Sequence, residues 1–221
     1  MLTIYGVYRS RTAWTIWMML ELGVQFRHVP IVPAYRVKDL QAPDAPPHSM
    51  STEFREINPS GKVPVVVDGD LVMHQSLAIN LYLAKKYGGP LAAANLGEEA
   101  PILMWTHWAA TDVEPKAVDI LHHRVTYPAE QRKEDIAEEA VAALRAPFAM
   151  LDDELIDRDW LVGDRFTVAD LNVAAVVNSA AGAPELLDAA PRVRGWLARC
   201  HARPAYQELV RQRDAQPEWT K

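Results

Sequence analysis

The sequence predicts an α/β N-terminal domain, with a mixed four-stranded sheet flanked by helices, followed by an all-α C-terminal domain. Three observations predict it. The chain opens strand, helix, strand, a short crossover that implies parallel pairing. Two apolar runs, Val63 to Val67 and Leu71 to Met73, flank an Asp68-Gly69 hairpin signal and deliver the chain to a helix at Gln75. Beyond Gly97 the apolar residues follow a helical period throughout.

Each element has its own signal. Residues 2 to 7 alternate weakly and predict the first strand. A helix is expected over Thr12 to Leu22, stopped by Gly23, and a second strand over Phe26 to Val32. Pro33 to Phe54, with Pro33, Pro43, Pro46 and Pro47, shows no periodic apolar face and is expected to be a long active-site loop. Pro64 removes a backbone donor at the mouth of the third strand, so that strand end is open to a ligand in extended form. The Val63-Pro64 bond, in a tight connection, is expected to be cis at a cost of only about 0.5–1 kcal/mol. The hairpin and the helix LAINLYLAKKYG complete a thioredoxin-like arrangement. A linker is placed at residues 88–97, dividing a domain over residues 1–87 from a helical one over residues 98–221. In the latter, Glu98 to Val125 and Pro128 to Asp157 are long amphipathic stretches, and Ala190 to Arg211 reads as two helices broken at Pro204. Thr167 and Asp170 form a capping box, with Phe166 and Leu171 as its hydrophobic staple, and are assigned to folding.

Composition narrows the function. At 221 residues and 49% hydrophobic, the chain can bury a substantial core. A formal charge of -6 and a pI near 5.6 argue against a nucleic-acid partner. No apolar run reaches the ~18 residues of a membrane span, and the opening MLTIYGVYRSR lacks the order of a signal peptide. The single cysteine, Cys200, allows no disulfide within the chain; the expected location is the cytoplasm, with no metal and no membrane partner. His122-His123 is not at metal-ligand spacing.

The chemistry gathers at two helix starts. Unpaired N–H groups, the positive end of the helix dipole and the Ser76 hydroxyl all favour a carboxylate at His74-Gln75-Ser76. With the open strand end at Val63-Pro64, this describes a peptide-binding site. The loop Gly6-Val7-Tyr8-Arg9-Ser10-Arg11 leads into the first helix, and a hydroxyl there sits where a developing anion is stabilised.

LTIYGVYRSRTAWTIWMMLELGV, NPSGKVPVVVDGD followed by HQSLAINLYLAKKYG, and FTVADLNVAAVV together resemble the glutathione S-transferase family, over nearly the whole chain. The resemblance implies the glutathione transferase fold, a homodimer, and a glutathione thiolate conjugated to a hydrophobic electrophile. It places Ser10 as the hydroxyl that holds the thiolate, with Tyr5 and Tyr8 as alternatives. It implies glutathione contacts from Gln75 and Ser76 to the γ-glutamyl end, from Val63 and Pro64 to the cysteinyl backbone, and from Lys62 to the glycyl carboxylate. Arg11 and His48, with Arg36 and Lys38 as further loop candidates, complete that set. Lys62 stands where the family often has glutamine, and Gln75 where it frequently has glutamate. The electrophile would meet Tyr8, Met104, Trp108 and Thr111, between the domains; core or dimer packing is the competing role for Trp105 and Trp108. A free thiol is only about 3% ionised at pH 7, so a depression of roughly two units makes the thiolate dominant. Two other readings stand beside conjugation. HQSLAI and Arg9-Ser10 with Trp14 echo the maleylacetoacetate isomerases, although Arg11, Thr12 and Thr15 depart from their motif. A non-catalytic binding module on the same fold is the third.

Overall fold

The computed structural model describes residues 1–216, and the chain divides into two compact units. The first comprises Met1–Tyr87 together with the segment from Arg203, the second Gly88–Ala202. The helical domain expected over residues 98–221 therefore differs in its last part, because the final helix packs on the first unit; residues 217–221 lie outside the described residues.

In the first unit, β1 (Thr3–Tyr5), β2 (Arg27–Val29), β3 (Val65–Asp68) and β4 (Leu71–His74) form one sheet in the order β2-β1-β3-β4. β1 pairs parallel with β2 and antiparallel with β3, which pairs antiparallel with β4. The parallel pair follows from the intervening α1 (Thr12–Leu22), which ends on Gly23 in the left-handed conformation at φ 64°. One sheet face carries Ile4 and Val66, both buried. The other carries Tyr5 and Val65, which join Ile31 and Phe54 in a second apolar cluster.

The second strand is shorter than Phe26 to Val32: Val32 instead makes an isolated bridge to His48. The segment from Pro33 to Phe54 is not irregular throughout. It holds a 3-10 turn over Ala34–Arg36 and the start of α2 (Thr52–Ile57), capped by the Ser51 hydroxyl accepting the Phe54 N–H at 3.3 Å. Six residues carry too few apolar positions for a helical period to show in sequence. α3 (Ser76–Tyr87) packs against α1, and Asn80, fully buried, donates to the Trp14 carbonyl at 3.4 Å.

The second unit is helical: α4 (Leu96–Trp108), α5 (Glu114–Ile120), α6 (Glu134–Glu154), α7 (Val168–Val177), α8 (Pro184–Ala189) and α9 (Pro191–His201). The stretch expected over Glu98 to Val125 is helical without a break in the chain but contains wide π-type turns at Ala109–Val113 and Leu121–Thr126. Pro115, which lacks an N–H, follows the first of them and removes one regular bond. Pro128 precedes a 3-10 turn, and α6 begins only at Glu134. α7 is buried along its whole length and packs against α4, α5 and α9. Its N-terminus has the expected capping box. Asp170 accepts the Thr167 N–H at 2.9 Å, and its other oxygen accepts the Leu161 N–H at 2.9 Å and the Trp196 indole at 3.0 Å. Arg165 ties the connection into this unit, bonding the Pro90 and Ala92 carbonyls and the Glu98 carboxylate, which is held at about 2 by that guanidinium. The α10 helix (Pro204–Ala215) belongs with α1.

Candidate active site

The strand register assembles the site. Tyr5 sits opposite Val65 and Val65 opposite His74, so three strands end in one row. Just past that row lie the Gly6–Arg11 loop leaving β1, Val63-Pro64 entering β3, and Gln75-Ser76 leaving β4. Three separate sequence motifs thus share one end of the sheet, and two of them start helices whose N–H groups point there.

The loop before α1 is held from within. Gly6 has φ 137°, and a Cβ there would lie 1.9 Å from the Thr12 hydroxyl oxygen, so only glycine fits. The Gly6 N–H donates to the Val29 carbonyl at 3.0 Å, while its own carbonyl accepts from His28 Nε2 at 2.7 Å. Burial lowers the His28 pKa, outweighing that bond, which favours the charged ring. The Ser10 hydroxyl is half-buried. It donates to the Val7 carbonyl at 2.7 Å, lies 2.9 Å from the Thr12 hydroxyl and accepts the Thr12 N–H at 3.2 Å. Arg11, in helical conformation at the cap position, makes no side-chain cap bond. The first N–H of α1 is instead taken by the Ser10 hydroxyl, and the next two by the Ser10 and Arg11 carbonyls.

Val63-Pro64 is a cis peptide. The turn before it is built by Asn58, nearly fully buried, whose amide donates to the Lys62 carbonyl at 2.8 Å and whose oxygen accepts from Ser60. Gly61, at φ 62°, passes so close to Met50 and the Ser49 carbonyl that a side chain would meet both at 2.8–3.0 Å. This turn brings the 48–51 segment beside Lys62. At the third motif, Gln75 adopts φ 76°, uncommon for a residue with a Cβ, and its carbonyl accepts the Ile79 N–H at 2.9 Å. Such a conformation persists where the surroundings over-determine it, and it occurs most at ligand sites. Gln75 is exposed, while Ser76 beside it is buried.

The remaining expected residues fall in varied places. The Tyr5 ring lies 6.3 Å from Phe54, within the apolar cluster under α2, and lines a cavity of about 510 Å³ with Ile31, Leu40, Phe54 and Ile57. Tyr8 stacks edge-on against His28 at 5.1 Å. Its phenol bonds the Gln212 amide oxygen, and its pKa is raised by burial and by the charge of Glu208. His48 uses both ring nitrogens in its own loop: Nε2 donates to the Leu40 carbonyl at 3.2 Å and Nδ1 accepts the Met50 N–H at 3.3 Å. It organises the loop, and that local bonding was not visible in a proline-rich sequence. Arg11 and Lys62 are exposed, Arg11 with its guanidinium 5.8 Å from the Trp14 ring, and Arg36 lies 5.7 Å from the Tyr35 ring. In the second unit Met104 and Thr111 are exposed and Trp108 is half-buried. Trp105 is buried and meets Trp108 edge-on at 5.2 Å, the packing role weighed for it. His122 and His123 both pack on Tyr127, at 4.6 and 5.2 Å.

Sequence reading missed Thr12, which tethers Ser10, and Gln212 and Gln216, which hold Tyr8. Thr12 had a local signal, since a buried hydroxyl at the first position of a helix needs a partner. The glutamines had none, because more than 200 residues separate them from Tyr8.

A mixed four-stranded sheet carrying these three motifs, together with a helical second unit, is the glutathione transferase fold. Residues 4–91 match the N-terminal domain of glutathione S-transferases and residues 113–204 their C-terminal domain. Glutathione S-transferase 3 of Zea mays is 31% identical over 166 residues, 72% of this chain and 74% of that protein. Glutathione S-transferase GstB of Escherichia coli K12 is 30% identical over 161 residues, 72% of this chain and 77% of that one. The crystal structure of the theta class enzyme of Xanthomonas axonopodis pv. citri with glutathione bound superposes with a TM-score of 0.80 at 25% identity, covering 95% of this chain and 96% of that chain. The chain belongs to the glutathione S-transferase family, and it is a transferase enzyme.

Proposed function

We propose that this transferase binds glutathione at the end of the sheet, holds it as thiolate through the Ser10 hydroxyl, and conjugates it to a hydrophobic electrophile. The observation that carries this reading is the common row of Ser10's loop, Val63-Pro64 and Gln75-Ser76. A γ-glutamyl carboxylate meets the N-terminus of α3 and the Ser76 hydroxyl, with Gln75 beside it. The cysteinyl backbone pairs with Val63 as an added strand, since Pro64 leaves that edge open. Lys62, exposed and cationic, faces the glycyl carboxylate, with Arg11 as a second cation. The thiol proton leaves to solvent on binding. The Ser10 proton turns from the Val7 carbonyl towards sulfur, aided by the dipole of α1. The thiolate then forms a bond to carbon, and the leaving group departs with its electron pair, or an activated double bond takes up the charge. Tyr8, Met104, Trp108 and Thr111 are the proposed electrophile contacts, and detoxification in the cytoplasm is the role such chemistry serves.

A homodimer fits the edge strand β4, where Leu71 and Val72 remain 42% and 46% exposed. An exposed apolar edge of this kind favours a covering partner. One observation favours a second reading: the Ser10–Val7 bond, of ordinary length at 2.7 Å, suits a binding module in which Ser10 only tethers the loop.

Ultraviolet difference titration of bound glutathione, in wild type and Ser10→Ala, separates the two. The transferase reading expects thiolate well below the ordinary thiol pKa near 8.5 in wild type and its loss in the variant. A parallel fall in turnover with a dinitrophenyl halide is expected. Glutathione bound with an unshifted thiol in wild type would leave the module.

A further inference from the structure

The first unit returns at its C-terminus to its own active-site loop. α10 lies along α1 and is tied at both ends. At one end Arg203 makes two 2.8 Å bonds to Glu21, which also accepts the Trp17 indole at 3.0 Å, and Tyr206 packs edge-on against Trp17 at 4.9 Å. At the other end Gln212 and Gln216, four residues apart and so facing one way, both reach Tyr8. Gln212 Oε1 accepts the Tyr8 hydroxyl, and Gln216 Oε1 accepts the Tyr8 backbone N–H at 2.9 Å. Gln212 is itself steadied by donating to Glu208 at 2.6 Å, and Glu208 is paired with Arg211.

The Tyr8 N–H and the Val7 carbonyl belong to one peptide unit. A peptide is planar and rigid, so whatever fixes the direction of the N–H also fixes the direction of the C=O. Gln216 holds the N–H side, and the carbonyl side accepts the Ser10 hydroxyl at 2.7 Å. We propose that Gln216, supported by Gln212, is a positioning residue for Ser10: it fixes the Val7–Tyr8 peptide of the loop that carries Ser10, a backbone restraint that persists when the Ser10 hydroxyl turns from the Val7 carbonyl to sulfur. This rests on the transferase reading above. The phenol of Tyr8, whose ionisation is disfavoured by burial, remains a donor to Gln212 at neutral pH, which keeps the second tie intact. The C-terminal helix is thereby part of the apparatus that aims the thiolate's hydrogen-bond donor.

The test measures the apparent pKa of bound glutathione in the full chain carrying Gln216→Ala, Gln216→Glu, Ser10→Ala and the Ser10→Ala/Gln216→Ala pair. Glutathione affinity is measured by calorimetry alongside. Loss of one hydrogen bond of ordinary strength is expected to raise the thiol pKa by about half a unit to one unit in Gln216→Ala. Gln216→Glu, which keeps an acceptor at the same reach, is expected to restore most of it. Because the effect runs through Ser10, Gln216→Ala should add nothing to Ser10→Ala. A purely structural glutamine would lower the melting temperature and leave the thiol pKa where it was, and that result overturns the proposal. So does a double variant in which the two shifts simply add. Should Gln216→Ala not fold, Gln212→Ala, which removes the tie to the Tyr8 phenol and leaves the phenol itself in place, must still raise the thiol pKa by a smaller amount or the proposal falls. If wild type itself shows no lowered thiol, the transferase reading fails and takes this one with it; if wild type and Ser10→Ala behave as expected but Gln216 is silent, only the positioning role is lost.

Discussion

At the N-terminus of α7, the polar groups satisfy one another inside the protein; at the N-terminus of α1 they stay within reach of solvent. Thr167 and Asp170 are both fully buried, and Asp170 takes bonds from Thr167, Leu161 and Trp196. Around α1, Arg11 stands at the cap without a cap bond, and Ser10 is half-buried with its hydroxyl on a neighbouring carbonyl. α3 shares that openness, with exposed Gln75 at φ 76° beside buried Ser76. Both kinds of helix start have the same backbone physics, unpaired donors and a positive dipole end. A start closed by its own side chains serves stability. One tied by a half-buried serine whose hydroxyl can turn, at the end of a sheet, is available to a carboxylate or a thiolate.

The largest effect should come from opening the closed start. Asp170→Ala leaves four buried donors, the Thr167 N–H and hydroxyl, the Leu161 N–H and the Trp196 indole, without their acceptor, and is expected to cost about 3–5 kcal/mol. Asp170→Asn, which keeps one acceptor oxygen, should cost less. Guanidine denaturation measures both, and an Asp170→Ala protein as stable as wild type would break the contrast.

A smaller effect is expected at the open start. Gly6→Ala forces a side chain into the Thr12 hydroxyl at a positive φ, and about 1–3 kcal/mol of stability should be lost. Activity should fall further than stability explains, since the Ser10–Thr12 contact is displaced with the loop. Equal losses in stability and in turnover would show that the loop is no more than a connection.

The smallest effect separates the units by pH. Burial lowers the pKa of His28, beside the Gly6 loop; in α9 it lowers that of His201 to about 4. In both the folded pKa lies below the unfolded value near 6.5, so the unfolded chain binds more protons in acid. The associated stability is complete above pH 6.5 and is lost as pH falls through the folded pKa. Between pH 7 and pH 5, the melting temperature of His201→Gln should fall less than that of wild type, and His28→Gln should show a smaller difference in the same direction. A variant with the full wild-type acid loss would remove that histidine from the account.

Much of the closed start was legible in sequence, because Thr167 and Asp170 are three residues apart and a capping box is a local object. What was not legible is that the Asp170 carboxylate also takes the Trp196 indole, 26 residues away. The motifs of the open site were also readable. Val63-Pro64, Asp68-Gly69 and Gln75-Ser76 each restrict backbone conformation within a few residues. That Val63-Pro64 and Gln75-Ser76 meet was read from the residues, and that the Ser10 loop joins them only through resemblance; the register of Tyr5, Val65 and His74 supplies the physical cause. α2 escaped notice because six residues show no period, and the two bonds of His48 within its loop were not legible because they depend on how that loop folds.

The sequence by itself determined the order of elements, the two helix starts with hydroxyls, the hairpin, the capping box and the family, all of which are set by chemistry acting over a few residues. Tertiary structure alone decided that α10 lies against α1 and that Gln212 and Gln216 hold Tyr8. The same packing decided that Tyr5 faces the cluster under α2. The reason is the range of the forces involved: propensities, turns and caps are local, whereas which side chain meets which across some 200 residues is settled only when the hydrophobic faces of the helices have found one another.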